Sequence, residues 1–325
     1  MKPTCFAATI AALMLVACTE NPIAPDGAAL SPSLSRAAAR PYTFTRIDVP
    51  GSTSTVVSGI NADGKLVGWY AAGGVTRGFT YQDGVYTTNI VYPGAALTQL
   101  RGISSSGDMA GSYRNPGEPT VNFHGFVLTA DGAFIPVDFP GHTNTIAQRL
   151  LPDGTVLGCY HDVDMMASMH GATIERGDGY SSISAFASMT NGGTPGGDTF
   201  AGLFTDMDTG LGRAFVIDHG NFTGFDAPGS DFTAAWDMNP AGTIVGLFET
   251  AGTTTTHGFV LEHWRVVDGA VVGQYTTIDY PLSATTNAAY TDVFGINASG
   301  DIVGKFRETA TGPFHGYFAT RRTGE

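Results

Sequence analysis

Residues 59–70 read GINADGKLVGWY and residues 295–306 read GINASGDIVGKF, so Gly, Ile, Asn, Gly, Val and Gly recur in register near both ends of a 325-residue chain. The closing landmark of that phrase returns at Val67-Gly68-Trp69-Tyr70, Ala110-Gly111-Ser112-Tyr113, Leu157-Gly158-Cys159-Tyr160, Ala201-Gly202-Leu203-Phe204, Val245-Gly246-Leu247-Phe248 and Val303-Gly304-Lys305-Phe306. A second landmark follows each, as in Arg77-Gly78-Phe79, His124-Gly125-Phe126, His257-Gly258-Phe259 and His315-Gly316-Tyr317. A third precedes most: IDVPG (47–51), IVYPG (90–94), VDFPG (137–141), FDAPG (225–229) and IDYPL (278–282). Six units thus fill residues 42–325 at about 47 residues each, a period at which self-similarity means propellers or solenoids.

Each unit breaks into four short runs rich in β-branched and aromatic residues; in the first they are TVVSGIN, KLVGWY, RGFTYQ and VYTTNIVYP. DG, SG and AG pairs between runs supply the positive-φ positions of hairpin turns. No stretch carries a helical period. The pattern predicts an all-β chain, a six-bladed β-propeller of four-stranded antiparallel blades. The first run, YTFTRIDVP (42–50), reads as the fourth strand of a unit, and the last unit stops at its third, HGYFAT (315–320). Closure of the last blade by residues 42–50 would hide two sheet edges that an open solenoid leaves exposed. Gly68 and its equivalents are expected where backbones crowd and a side chain does not fit.

The GINxxGxIVGxY…HGF…IDxPG pattern resembles the HAF-type extracellular repeat of exported bacterial proteins over nearly all of 42–325. That family brings no established activity with it. The fourth unit departs most: no IDxPG precedes it, and NGGTPGGDTF (191–200) stands in place of the tight GIN turn.

The amino terminus, MKPTCFAATIAALMLVACTE, has one cation, an apolar run too short to span a bilayer, and Leu15-Val16-Ala17-Cys18. It looks like a bacterial lipobox, which implies cleavage of residues 1–17 and a lipidated Cys18; plain secretion with Cys18 incidental is the alternative reading. Each buried CH₂ of an acyl chain adds about 0.8 kcal/mol, enough for a multiply acylated residue to hold the chain on a membrane. Residues 18–41, rich in Ala, Pro and Ser, read as a tether, leaving 42–325 as the repeat domain. Cys159 then has no thiol partner and reads as a small core residue. The formal charge is −13, or −14 once Lys2 leaves with the signal. An acidic body without a basic patch argues against nucleic acid and anionic lipid surfaces as partners.

Chemistry is sparse. His124, His170, His257 and His315 share one slot in separate units, so a ring spreads them apart, and bonding to a neighbouring strand is the expectation. Asp48, Asp138, Asp226 and Asp279 precede a turn and are expected to cap its amides. HDVDMM (161–166) and TDMDTG (205–210) offer Asp162, Asp164, Asp206 and Asp208 as calcium ligands, without the closing Glu of a full signature. No G-x-S-x-G, H-E-x-x-H or P-loop occurs. The units disagree just before the GIN slot, at Ser58, Arg101, Gln148, Trp236 and Phe294, and in the loops between their second and third strands. Arg101, Gln148 and Trp236 are placed at the start of the innermost strands, at a channel mouth on the face of the PG turns, as a pocket for a sugar or peptide. The function expected is a membrane-tethered extracytoplasmic propeller that binds or scaffolds a glycan or protein ligand. A propeller hydrolase or lyase acting on polysaccharide is the alternative, and a surface protein without a discrete ligand a third reading.

Overall fold

The computed structural model describes residues 33–35, 41–162, 169–175 and 179–322, and their regular structure is entirely β. Strands β1 (Ser33–Ser35) and β2 (Tyr42–Ile47) come first. The first unit is β3 (Ser54–Ile60), β4 (Leu66–Ala72), β5 (Val75–Gln82) and β6 (Val85–Ile90); the second is β7 (Leu97–Ile103), β8 (Met109–Arg114), β9 (His124–Leu128) and β10 (Phe134–Pro136). The third is β11 (Asn144–Leu150), β12 (Val156–His161), β13 (His170–Ile174) and the first half of β14 (Tyr180–Gly193). The second half of β14 opens the fourth unit, which continues through β15 (Thr199–Thr205), β16 (Gly212–Asp218) and β17 (Asn221–Phe225). The fifth is β18 (Ser230–Met238), β19 (Ile244–Thr250), β20 (Thr256–Val267) and β21 (Ala270–Ile278), and the sixth has β22 (Tyr290–Ile296), β23 (Ile302–Arg307) and β24 (His315–Arg321).

Within each unit the strands pair antiparallel in sequence order, so the chain is built of four-stranded antiparallel sheets. The fourth strand beside β24 is β2, in register from Tyr42 opposite Arg321 to Ile47 opposite Gly316. Leading strands meet as neighbours: β3 with β7, β7 with β11, β11 with β14, β14 with β18, β18 with β22, and β22 with β3. One difference from the sequence reading lies in the expected tether, where β1 runs parallel to β21 and pairs Leu34 with Tyr275.

The repeated residues divide the work of holding this together. Phe79, Phe126, Phe215, Phe259 and Tyr317, from the second landmark, are wholly buried. One cluster joins Ile47 and Val49 to Val57, Tyr70 and Phe79 and to Val303 of the sixth unit. Burying each such side chain contributes about 1.5–3 kcal/mol. In the GIN slot, Asn61 Oδ1 accepts from the amides of Asp63 and Lys65 and closes its own turn. Asn239 and Asn297 do the same, and their Nδ2 groups donate onward to Asn297 O and Asn61 O in the next units.

The carboxylates of the third landmark behave differently from expectation. Asp138, Asp279 and Asp48 do not cap turn amides; they pair with the Nδ1 atoms of His124, His257 and His315 at 3.0, 2.7 and 2.9 Å, and Asp226 pairs with Arg213 in the equivalent place. These bonds tie third strands to fourth strands. The turn amides are satisfied instead by threonines of the next leading strand: Val49 N donates to Thr55 Oγ1, Tyr92 N to Thr98, Phe139 N to Thr145, Ala227 N to Thr233 and Tyr280 N to Thr291, at 2.7–3.1 Å. A Thr hydroxyl near the start of the strand reaches back where a carboxylate just past the preceding strand points across the sheet.

Candidate functional site

Every leading strand slips register late in its course, and β18 slips once more near its start, between Ser230 and Phe232. The late slips fall between Val57 and Gly59, Leu100 and Gly102, Ala147 and Arg149, Thr190 and Gly192, Ala235 and Asp237, and Val293 and Gly295. The extra residues are Ser58, Arg101, Gln148, Asn191, Trp236 and Phe294, so the positions at which the units disagree are β-bulges. A bulge re-aims a side chain that a regular ladder would commit to one face. The glycine opposite makes the kink possible, because a Cβ on Gly68 would lie 2.0 Å from Val56 O. The bulges sit late in their strands, Arg101 being the fifth residue of Leu97–Ile103, and not at the strand starts on the PG-turn side as the sequence reading placed them. Asn191 escaped that reading because the fourth unit has no GIN phrase to align on.

The bulge side chains link units to one another. Ser58 Oγ donates to Leu100 O at 2.7 Å and Asn191 Nδ2 to Ala235 O at 2.8 Å, each crossing to the next unit. Arg101 Nη1 donates to Gln148 Oε1 at 3.2 Å, Nη2 to Gln99 Oε1 at 2.7 Å and Nε to Ser112 Oγ at 3.2 Å. Its guanidinium lies 5.5 Å from the Trp69 ring. Trp69 meets Phe294 edge-on at 6.2 Å, and Phe294 lies tilted against Trp236 at 5.3 Å. Arg101 and Gln148 are therefore in direct contact, while Trp236 joins them through Trp69 and Phe294. Lys305 Nζ, 4.8 Å from the Phe294 ring, stands 3.8 Å from Asp292 Oδ2.

Burial sets the electrostatics. It lowers Arg101 to about 10, with a small further push from the Arg149 charge. It raises Asp292 to about 6, with Lys305 first among the groups that pull the carboxyl back and Trp236 among the others. It also lowers Lys305. Both members of the Asp292–Lys305 pair move toward neutrality, so at 3.8 Å their attraction does not repay desolvation. Arg101 keeps part of its surface open although protein atoms crowd it, which is the condition of a side chain lining a recess.

One residue beyond the bulge, four units carry Gly59, Gly102, Gly192 and Gly295; the third and fifth carry Arg149 and Asp237. Both are buried, with Arg149 Nε 3.3 Å from Asp237 Oδ1. Arg149 also donates to Arg101 O and Gln148 O, at 2.5 and 2.8 Å, and to Phe294 O. Asp237 accepts from the amides of Met238 and Ile296 at 2.9 and 3.1 Å. The pair thus touches the second, third, fifth and sixth units. It also lines a cavity of about 290 Å³ among the turns after the leading strands, a cavity that Arg101, Gln148 and Trp236 do not reach. Slot-by-slot comparison of the units carries the signal for both residues, since each replaces a repeated glycine.

The other candidates fall elsewhere. Asp206 Oδ1 accepts from Asp208 N and Thr209 N, and Oδ2 pairs with Arg213 at 3.2 Å, so its oxygens are committed to its own turn. Asp162 pairs with His142 and accepts from Thr143 N. Cys18 and Asp164 lie outside the described residues. Among those residues no three His, Cys, Asp or Glu side chains gather as metal ligands. Cys159 is buried, which pushes its thiol up to about 12.

No family model and no curated protein matches the chain. Among solved structures it is similar to a putative TolB from Agrobacterium tumefaciens at 13% identity and a TM-score of 0.51, over 83% of this chain and 91% of that one. It is also similar to a gluconolactonase, XC5397, from Xanthomonas campestris, at 12% identity and a TM-score of 0.47 over 88% and 96% of the two chains. TolB from Acinetobacter baumannii follows at 12% identity and 0.48, over 83% and 64%. The first likeness carries the fold, a β-propeller.

Proposed function

We propose that the six units are the blades of a closed six-bladed propeller of the HAF-type repeat, exported and held on a bacterial membrane through a lipidated Cys18, and that it binds an extracellular glycan at the bulge residues. The pairing of β2 with β24 and the contact of β22 with β3 support closure. One observation carries the binding reading: where the repeat varies, it supplies two tryptophans, a guanidinium and amides that reach one another across units. Indole faces suit the apolar face of a sugar ring, and the donors suit its hydroxyls. A protein ligand would call for a broader apolar surface than these side chains offer.

The test is a glycan array probed with the whole protein and with its Trp236→Ala variant. Selective binding that the variant loses supports the reading, and binding unchanged by the substitution counts against it. A lyase or hydrolase is the second reading, because the Asp292 carboxyl sits near the working range of a general acid or base. Release of new reducing ends from a bound polysaccharide, lost in Asp292→Asn, would favour that reading.

A further inference from the structure

The charges around the bulge residues do not cancel. Arg101 makes three hydrogen bonds, all to neutral acceptors, and no carboxylate lies within ion-pair distance of it among the described residues. A guanidinium has five N–H donors. One is used on Nε, one on Nη1 and one on Nη2, which leaves one on each terminal nitrogen. Those two donors are left for an incoming anion, and a carboxylate offers them two acceptor oxygens. Lys305 is the second cation, and Asp292 at 3.8 Å is the anion that balances it. On the far side Arg149 and Asp237 balance each other. Among the described residues one positive charge is left over, in surroundings that penalise any unpaired charge and inside a chain whose formal charge is −13.

Resting on the glycan reading above, we propose that the ligand is an acidic saccharide, a uronate-bearing glycan whose carboxylate takes the two free N–H donors of Arg101 beside the Trp69 ring.

The experiment compares oligogalacturonate, oligomannuronate and oligoglucuronate with the same oligosaccharides after carboxyl reduction, by calorimetry on the whole protein. At least one acid form is expected to bind about tenfold or more tightly than its reduced partner, the worth of one charge-assisted hydrogen-bond pair. Arg101→Gln should erase that preference, and Arg101→Lys, which keeps the charge without the fork, should erase most of it. Equal binding of acid and reduced forms overturns the acidic-ligand inference and leaves the glycan reading standing. An absence of binding by every acid and reduced form, with neutral glycans bound elsewhere on the array, overturns the inference as well. An array without any bound glycan takes down both. The comparison on the unsubstituted protein stands whether or not the variants fold.

Discussion

Asp48 Oδ2 accepts from His315 Nδ1 at 2.9 Å, which joins the first full strand of the repeat domain to the last. Behind this bond Ile47 is buried against Val57, Tyr70 and Val303. The two contacts differ in worth. The hydrogen bond is partly exposed, so Asp48→Asn should cost under about 1 kcal/mol. Ile47→Ala removes a buried side chain and should cost about 2–4 kcal/mol, a large share of a typical total of about 5–15 kcal/mol. Urea unfolding of both variants checks this. An Ile47→Ala protein as stable as its parent would mean that β2 does not seal the sixth unit in solution.

The strands, their grouping and the pairing of 42–47 with the last unit were legible because the repeat printed each of them several times. The bulge residues were legible as disagreements, but their depth in the strand was not, since leading strands such as β3, β11 and β22 are buried on both faces and a one-residue slip leaves no mark on their hydrophobic pattern. Asp138 and its equivalents misled because Asp before Pro-Gly has a strong local use in turns. The partner that wins here, His124, lies 14 residues back and is brought opposite by strand pairing. Arg149 and Asp237 stayed hidden for a different reason: each looks like a surface charge until it is set beside the glycine it replaces.

Gly68 and Gly64 separate two reasons for repeating a glycine. A Cβ on Gly68 would meet Val56 O at 2.0 Å, a contact that only a backbone shift can relieve. Gly64, at φ +75°, has open space around it and is needed for its left-handed turn. Gly64→Ala should cost about 1 kcal/mol. Gly68→Ala should cost about 3 kcal/mol or more, because the bulge at Ser58 has to rearrange. Thermal unfolding of the two variants gives the order, and a reversed order would rule out crowding as the reason for the second glycine.

Arg149 is predicted to matter through Asp237. Arg149→Gly leaves a buried carboxylate and three carbonyl groups without their donor, a loss of about 3–5 kcal/mol. Replacing both residues by glycine restores what the other units carry and removes the stranded charge. The double variant should therefore be more stable than Arg149→Gly alone, which a double-mutant cycle in urea measures directly. Additive losses would show that the two residues act independently.

Asp292 gives the chain a pH dependence of known sign. Its carboxyl is raised from 3.8 to about 6 in the folded protein by burial, so the native state holds the proton more tightly than the unfolded chain does. The stability this provides is complete below about pH 4, fades as pH climbs through about 6, and is gone at neutral pH, where the charged form is a cost. Asn at this position mimics the protonated acid at every pH. Asp292→Asn should thus match the parent near pH 4 and exceed it increasingly above, up to about 3 kcal/mol at pH 7. Lys305 loses its carboxylate partner in Asp292→Asn, which offsets part of that gain. An acidic saccharide would feel the same titration from the other side, binding more tightly to the parent as pH falls past 6, with that trend flattened in Asp292→Asn. Parallel stability curves for the two proteins between pH 4 and 7 would show that Asp292 keeps an ordinary pKa and that the site is wetter than its burial implies.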